Sequence, residues 1–134
     1  MTEEDAALSA NLEFYRAFTT RNFAAMEGLW ARKALVSCIH PGWAPLRDRG
    51  SVMQSWHDIL SNADAPGIMC HDEAVAVYGD IAIVTCEEDL SANILIATNI
   101  FTKEDGAWRM VHHQAGPLVI RQDQHRGSRS KRMH

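Results

Sequence analysis

The first half of the chain places its apolar side chains at helical spacing. Steps of three to four residues predict an amphipathic helix over residues 4–20, with an apolar stripe formed by Leu8, Leu12, Tyr15 and Phe18. The same periodicity predicts two further helices, over residues 23–31 and 51–62. A short apolar run at 35–39, between the second and third helices, is typical of a strand.

After the Pro66-Gly67 loop, the apolar positions follow a period of two, which is typical of strands. Four strands are predicted, at residues 68–78, 81–90, 93–103 and 107–120. The dipeptides Gly79-Asp80 and Asp105-Gly106 indicate tight turns, so the strands are expected to form an antiparallel meander. Helices that precede such a meander indicate the α+β class.

Two of the predicted strands contain runs that are apolar at consecutive positions, 81–84 and 94–97. A sheet with one face in water alternates polar and apolar residues, so these runs predict that both faces are covered. The helices would cover one face, and we expect a second subunit to cover the other. The sequence therefore predicts a homodimer that forms through the sheet.

Composition limits the class of protein. A length of 134 residues, with 46% apolar and 22% charged residues, is typical of one globular domain, which we place at residues 1–120. No apolar run approaches the roughly 20 residues that span a bilayer, and the acidic first residues lack the basic and apolar regions of a signal peptide. The three widely spaced cysteines form neither a disulfide framework nor a CxxC motif. These features favour a cytoplasmic protein with reduced thiols and no membrane contact.

Charge is distributed unevenly along the chain. The segment 121–134 holds five Lys or Arg residues against one Asp, which gives it a net charge of +4. Because the whole chain has a net charge of −4, residues 1–120 carry −8. An acidic body disfavours nucleic acid as a partner, because phosphate binding requires clustered cations. We expect the basic end to be a disordered tail, with tail-mediated contact to nucleic acid or an anionic surface as the alternative.

The stretch 38–56 carries the strongest indication of a binding site. Pro41-Gly42 ends the strand after His40, and Trp43 follows in the loop. Aromatic side chains on a loop between rigid elements are typical of a pocket wall. The predicted aromatic lining comprises Tyr15, Trp30, Trp43 and Trp56, with packing of the same rings in the core as the alternative.

The order of these motifs resembles the SnoaL-like branch of the nuclear transport factor 2 superfamily. The resemblance covers residues 6–118 and rests on His40-Pro41-Gly42-Trp43, Ser55-Trp56 and the segments 84–88, 97–101 and 108–117. It implies a cone-shaped α+β fold, in which a curved antiparallel sheet wraps around the N-terminal helices and encloses a pocket. It also implies dimers that form through the outer face of the sheet. Relatives include ketosteroid isomerases, polyketide cyclases and non-catalytic domains, so the resemblance implies a pocket rather than one reaction.

Four polar side chains are the candidates for chemistry in this pocket: Glu88, His112, His40 and Asn99. Adjacent residues on a strand face opposite sides, so only one of His112 and His113, and one of Glu87 and Glu88, faces inward. We expect His112 to face inward, and the family-like segment 84–88 favours Glu88. Burial would raise the pKa of this carboxyl towards the range that suits a base.

Each candidate also has a structural interpretation. His40 could bond the following loop, and His112 could be a core or interface histidine with a satisfied hydrogen bond. Glu88 could pair with Arg109 across the sheet, and Asn99 could bond a neighbouring histidine instead of a ligand carbonyl. Consecutive strand residues such as those of the segment 71–73 cannot converge on one ion, so we predict no metal site there. We also predict that the protein uses no metal and no cofactor.

The predicted function is binding of a hydrophobic small molecule. In the enzymatic version, the protein isomerises, dehydrates or cyclises a carbonyl compound by proton transfer without a cofactor. Glu88 or His112 would then be the base, while Asn99 or His40 would polarise the carbonyl. The alternative is a non-catalytic dimeric binding or interaction domain, in which the polar groups satisfy one another.

Overall fold

The computed structural model describes residues 1–119, which form three helices and five strands. In chain order these are α1 (Glu3–Thr19), α2 (Phe23–Leu29), β1 (Ser37–Ile39), α3 (Arg49–Ser61), β2 (Met69–Tyr78), β3 (Ile81–Asp89), β4 (Ile94–Glu104) and β5 (Ala107–Pro117). The predicted basic tail lies outside the described residues. Within residues 1–119, no helix combines the length and hydropathy needed to cross a membrane.

Local side-chain bonds determine where the longer helices begin. Thr2 and Asp5 form a capping box at the start of α1, in which each side chain accepts a hydrogen bond from the other's backbone N–H. The carboxylate of Asp48 accepts from the N–H of Ser51 and caps α3. Because of this cap, α3 begins at Arg49, two residues before its predicted start.

The five strands form one sheet in the order β1-β5-β4-β3-β2. Strands β2 to β5 are the predicted antiparallel meander, and the short β1 adds to β5 in parallel. The sheet is bent and unclosed, and α1 packs against its inner face through β2, β3 and β5. The predicted α+β class and cone-shaped architecture are confirmed.

A bulge in β5 reverses the expected direction of its histidines. Met110 pairs with Phe101 while His112 pairs with Ile100, so Val111 is one extra residue in β5. Strict alternation would place His112 on the same face as Met110, but the extra residue places His113 there instead. His113 is buried and His112 is half-buried. The prediction that His112 faces inward is therefore wrong.

The buried face of α1 also differs from the predicted stripe. Asn11 is fully buried beside Phe14 and Tyr15, whereas Leu12 is 50% exposed. The helix was predicted from its leucines, yet its inner face is centred on an amide. This difference follows from a set of polar contacts that α1 makes with the sheet.

Candidate functional site

Six polar side chains lie buried in the interior between the helices and the sheet: Asn11, His40, Ser55, Glu88, Asn99 and His113. Burial of a polar group without a hydrogen bond costs stability, so each must have partners. These six residues, together with Tyr15, form what we call the inner polar cluster. Of the predicted candidates, Glu88, Asn99, His40 and Tyr15 belong to it.

Glu88 is the acidic member of the cluster and is only 2% exposed. The Tyr15 hydroxyl lies 2.6 Å from Oε2 of Glu88 and donates to it. Burial raises the pKa of Glu88 above 4.5, and the bond from Tyr15 opposes part of that rise. Among the described residues no Lys or Arg pairs with Glu88, so Arg109 is not its partner; Arg109 bonds the carbonyl of Gly28 instead.

His113 lies on β5 and faces Glu88 of β3 across the intervening strand β4. Its Nε2 lies 3.9 Å from Oε2 of Glu88, too long for a hydrogen bond but close enough to become one after a small shift. Burial lowers the pKa of His113 to about 3, with smaller contributions from the electrostatic interaction with the His40 and His112 rings. At neutral pH the pair therefore consists of a neutral imidazole and a carboxyl that resists ionisation.

Asn99 connects these two groups to α1. Its Oδ1 lies 2.6 Å from Nδ1 of His113, and its Nδ2 donates to Oδ1 of Asn11 at 2.8 Å and to the Tyr15 hydroxyl at 3.1 Å. Because both N–H groups and the oxygen are occupied, Asn99 has no donor left for a ligand carbonyl. Of the two roles considered for Asn99, the structure shows the bond to a neighbouring histidine.

His40 occupies the other end of the interior. Ser55 donates to the carbonyl of Val52 at 2.6 Å, so its oxygen accepts from Nε2 of His40 at 2.9 Å. Burial lowers the pKa of His40 to about 4. The His40 and His113 rings lie 6.3 Å apart between centroids, so the two imidazoles belong to one interior region.

The loop after His40 is a tight turn that positions Trp43. Pro41 and Gly42 occupy its centre, Gly42 has a φ of +82°, and the N–H of Trp43 donates to the carbonyl of His40 at 2.9 Å. These are the features of a type II turn, in which a residue other than glycine would be strained at the second central position. The turn sets Trp43, 45% exposed, edge-on to His40 at 4.8 Å.

The predicted aromatic lining is only partly assembled. Trp56 is fully buried, and its ring lies 4.8 Å from that of His40 and 5.9 Å from that of His113. Its indole N–H has no acceptor among the described residues. Trp30 is buried too, but its backbone pairs with Met110, and within residues 1–119 its ring forms no aromatic pair with those of Trp56, His40 or His113. Trp30 is therefore a core residue separate from the site.

Several residues of the site were not predicted from the sequence. His112, expected inside, instead bonds the Ser37 hydroxyl through Nδ1 at 2.7 Å. Asn11 and Ser55 were not proposed as site residues, whereas His113 was considered and placed on the opposite face, because strict alternation was expected along β5. Cys86 was also missed, and its Sγ lies 3.4 Å from the Tyr15 hydroxyl. For Asn11 and Ser55, the signal available was a polar residue on the helix face that also carries buried apolar residues.

Solved structures identify the fold class. A protein from Streptomyces avermitilis, proposed as a dehydratase of the nuclear transport factor 2-like family, is 31% identical and superposes with a TM-score of 0.79 over 87% of this chain and 96% of its own. A proposed calcium/calmodulin-dependent protein kinase type II association domain from Thiobacillus denitrificans is 32% identical, with a TM-score of 0.74 over 84% and 94% of the two chains. The fold is thus that of nuclear transport factor 2-like proteins.

Within that class, residues 7–120 match the SnoaL-like domain, and the chain belongs to this family. The F-box protein SKIP8 of Arabidopsis thaliana is 29% identical over 117 residues, which are 86% of this chain and 51% of that protein. The chain therefore spans about half the length of this curated relative. The similar structures differ in the roles suggested for them, so the site must supply the functional argument.

Proposed function

We propose that the inner polar cluster binds a neutral, hydrophobic carbonyl compound and transfers a proton on it without a cofactor. The observation that carries this proposal is Glu88, a buried carboxyl with a raised pKa, no cationic partner among residues 1–119, and His113 at 3.9 Å. A base is most effective when its pKa is close to the working pH. Burial raises the pKa of Glu88 towards neutral pH, whereas it lowers the pKa of His113 away from neutral pH.

The charges around the cluster favour an uncharged ligand. Glu88 can only repel an anion, and the two nearby imidazoles are neutral because burial lowers the pKa of both His40 and His113. Phe14, Trp56 and Trp43 supply apolar ring surface in the same region. An apolar ligand with one hydrogen-bond acceptor fits such surroundings better than a charged one.

Trp56 provides a donor for that acceptor. Its buried N–H lacks a protein partner among the described residues, and a ligand carbonyl would remove the resulting penalty, roughly 1–3 kcal/mol. His113 is close to both groups, with its ring 5.9 Å from the Trp56 indole and its Nε2 3.9 Å from the Glu88 carboxyl. In the proposed reaction Glu88 takes a proton from the carbon next to the carbonyl, and Trp56 bonds the oxygen on which negative charge develops.

The reaction can be tested without knowledge of the natural product. The protein is incubated in D₂O with a panel of neutral cyclic ketones and enones, and NMR follows the loss of the signals of hydrogens next to the carbonyl. We expect exchange above the buffer rate for at least one compound and a loss of roughly a hundred-fold or more in Glu88→Gln, the size of a general-base contribution. Trp56→Phe should weaken exchange as well, because the ring is kept while the donor is removed.

The matched control is Glu87→Gln, which changes the next residue of β3 on the opposite face of the sheet. Full exchange in Glu87→Gln, with its loss in Glu88→Gln, supports the proposal. Equal exchange in the wild type and Glu88→Gln would exclude Glu88 as the base.

A second candidate function, a non-catalytic binding domain, is favoured by the hydrogen bonds within the cluster. Asn99 is fully bonded, and Tyr15 bonds both Glu88 and Asn99, so much of the cluster satisfies itself. In that case the cluster would only fix α1 to the sheet. A ligand that raises the melting temperature without any deuterium exchange across the panel would favour this function.

We also propose that the outer face of the sheet forms a homodimer. Ile83 and Ile100 are paired across β3 and β4, and Ile96, 40% exposed, lies on the same outer face. Light scattering should give about twice the chain mass of 15.0 kDa, and Ile100→Glu should shift the protein to the monomer. A wild-type monomer at working concentrations would contradict the dimer and leave the proton-transfer proposal intact.

A further inference from the structure

Asn99 is the only residue of the described chain that bonds both His113 and Tyr15. It lies in the middle of β4, is fully buried, and is too completely bonded to touch a ligand. Its effect on any chemistry at Glu88 must therefore pass through its neighbours. The two N–H groups and the oxygen of Asn99 determine where the hydrogens of Tyr15 and His113 lie.

The short distance to His113 identifies the orientation of the amide. A separation of 2.6 Å from the ring nitrogen is below the usual range for N–H···O bonds, and two nitrogens need still more room. The atom that faces His113 is therefore the oxygen, which only accepts. It follows that His113 carries its proton on Nδ1 and presents a lone pair at Nε2, the atom that faces Glu88 at 3.9 Å.

The opposite end of the amide acts on Tyr15. Nδ2 of Asn99 donates to the Tyr15 hydroxyl oxygen at 3.1 Å, so the hydroxyl proton is directed away from Asn99 and towards Oε2 of Glu88 at 2.6 Å. The same amide thus directs two groups towards Oε2 of Glu88, the Tyr15 hydroxyl as a donor and the Nε2 lone pair of His113 as an acceptor.

Asn11 holds the amide in this orientation. Its Oδ1 accepts the second N–H of Asn99 at 2.8 Å, and its own Nδ2 points to Sγ of Cys70 at 3.7 Å. Reversal of Asn99 alone would bring two oxygens together at 2.8 Å without a proton between them. The contact between α1 and β4 therefore links the orientations of the two amides, so that Asn99 does not reverse alone.

We propose that Asn99 is a positioning residue, held by Asn11, that fixes the Nδ1–H tautomer of His113 so that its Nε2 lone pair faces Glu88. A lone pair there can accept a hydrogen bond from Glu88 once the carboxyl has taken up a proton. This consequence rests on the proposed function, whereas the tautomer itself does not.

The test is NMR of protein labelled with ¹⁵N in its histidines, which reports which ring nitrogen carries hydrogen. In the wild type at neutral pH, we expect His113 to show a protonated Nδ1 and an unprotonated Nε2. Asn99→Leu removes the acceptor at nearly constant size and should convert His113 to the Nε2–H form or to a mixture of both. Asn11→Ala should cause a partial conversion, because it removes only the contact that holds the amide.

Ser55→Ala is the matched control, because it breaks the bond to His40 in the same interior and should leave the His113 signals unchanged. An Nε2–H tautomer of His113 in the wild type would overturn the proposal, and this arm remains decisive if Asn99→Leu does not fold. An unchanged tautomer in a folded Asn99→Leu would overturn it as well. None of these spectra requires a substrate, so failure of the deuterium-exchange assay cannot be confused with failure of this inference.

Discussion

Two carboxylates of the same sheet, Glu88 and Glu104, have opposite surroundings. Glu104, at the end of β4, accepts hydrogen bonds from three successive backbone N–H groups, those of Arg32, Lys33 and Ala34, at 2.8 to 2.9 Å. These bonds, the one from Arg32 first, lower the pKa of Glu104. Glu88 receives one bond, from Tyr15, and burial raises its pKa.

The comparison separates a carboxylate with a structural task from one that is available for chemistry. Glu104 holds the segment after α2 against the β4–β5 hairpin, and both of its carboxylate oxygens accept hydrogen bonds from backbone N–H groups. Glu88 accepts no hydrogen bond from a backbone N–H group among the described residues, and burial opposes ionisation of its carboxyl. Burial brings the pKa of such an acid closer to neutral pH, so it can accept a proton in its ionised form and return that proton in its neutral form.

The largest expected effect is a loss of folding stability at acidic pH, caused by the buried histidines near Glu88. Burial lowers the pKa of His113 from 6.5 to about 3 and that of His40 to about 4, so the unfolded chain binds more protons than the folded one below pH 6.5. Stability is therefore present above pH 6.5 and is lost as the pH falls towards 4. At pH 5 the loss should be roughly 2 kcal/mol for each histidine, as measured by urea unfolding at pH 7.5 and pH 5. In His113→Gln about half of this loss should disappear, whereas an unchanged loss would mean that His113 is not buried as a neutral ring.

A smaller effect is expected from Glu104→Gln. In the wild type, two carboxylate oxygens accept from three N–H groups, whereas the amide of the variant has only one acceptor oxygen. The unfolding free energy should therefore fall by about 1–2 kcal/mol, with allowance for partial exposure to solvent. Urea unfolding at pH 7.5 measures this change. Lys33→Met is the control, because it removes the Lys33–Asp105 ion pair but keeps the backbone donors. Equal losses in the two variants would mean that surface charge, not the backbone bonds, is what Glu104 provides.

The same substitution at Glu88 should act in the opposite direction. The raised pKa means that Glu88 contributes stability below pH 4.5 that is lost as the pH rises through its folded-state pKa. Glu88→Gln should therefore stabilise the protein at pH 8, by on the order of 1 kcal/mol or a few degrees in melting temperature. The gain should shrink as the pH falls towards 4.5. A loss of stability at pH 8, as in Glu104→Gln, would contradict the contrast between the two carboxylates.

Much of the fold follows from sequence pattern, because helical and strand periods report which positions are apolar. The periods placed α1, α3 and the four long strands to within two or three residues, and the Pro41-Gly42 dipeptide indicated the turn that carries Trp43. The two short elements, α2 and β1, were each predicted two residues too long. The predicted second helix continued through Trp30, but α2 ends at Leu29, where Trp30 becomes extended and pairs with Met110.

The site was harder to predict, since its residues break the pattern on which prediction depends. Asn11 is a polar residue on the buried face of α1, and hydrophobic periodicity assigned that face to Leu12. The bulge at Val111 exchanged the faces of His112 and His113, and no local signal in β5 marks it. Glu88 was identified through the family resemblance rather than through physics, because either of two adjacent glutamates could have faced inward.

The most direct test of the account is a titration of the glutamate side chains by carboxyl-¹³C NMR from pH 4 to 9. Assignments of Glu88 and Glu104 come from the spectra of their Gln variants. We predict that Glu88 titrates above pH 4.5, while Glu104 titrates below it. A Glu88 midpoint at or below 4.5 would mean that the buried carboxyl is ionised and stabilised like Glu104, and it would contradict the proposed role of Glu88 in proton transfer.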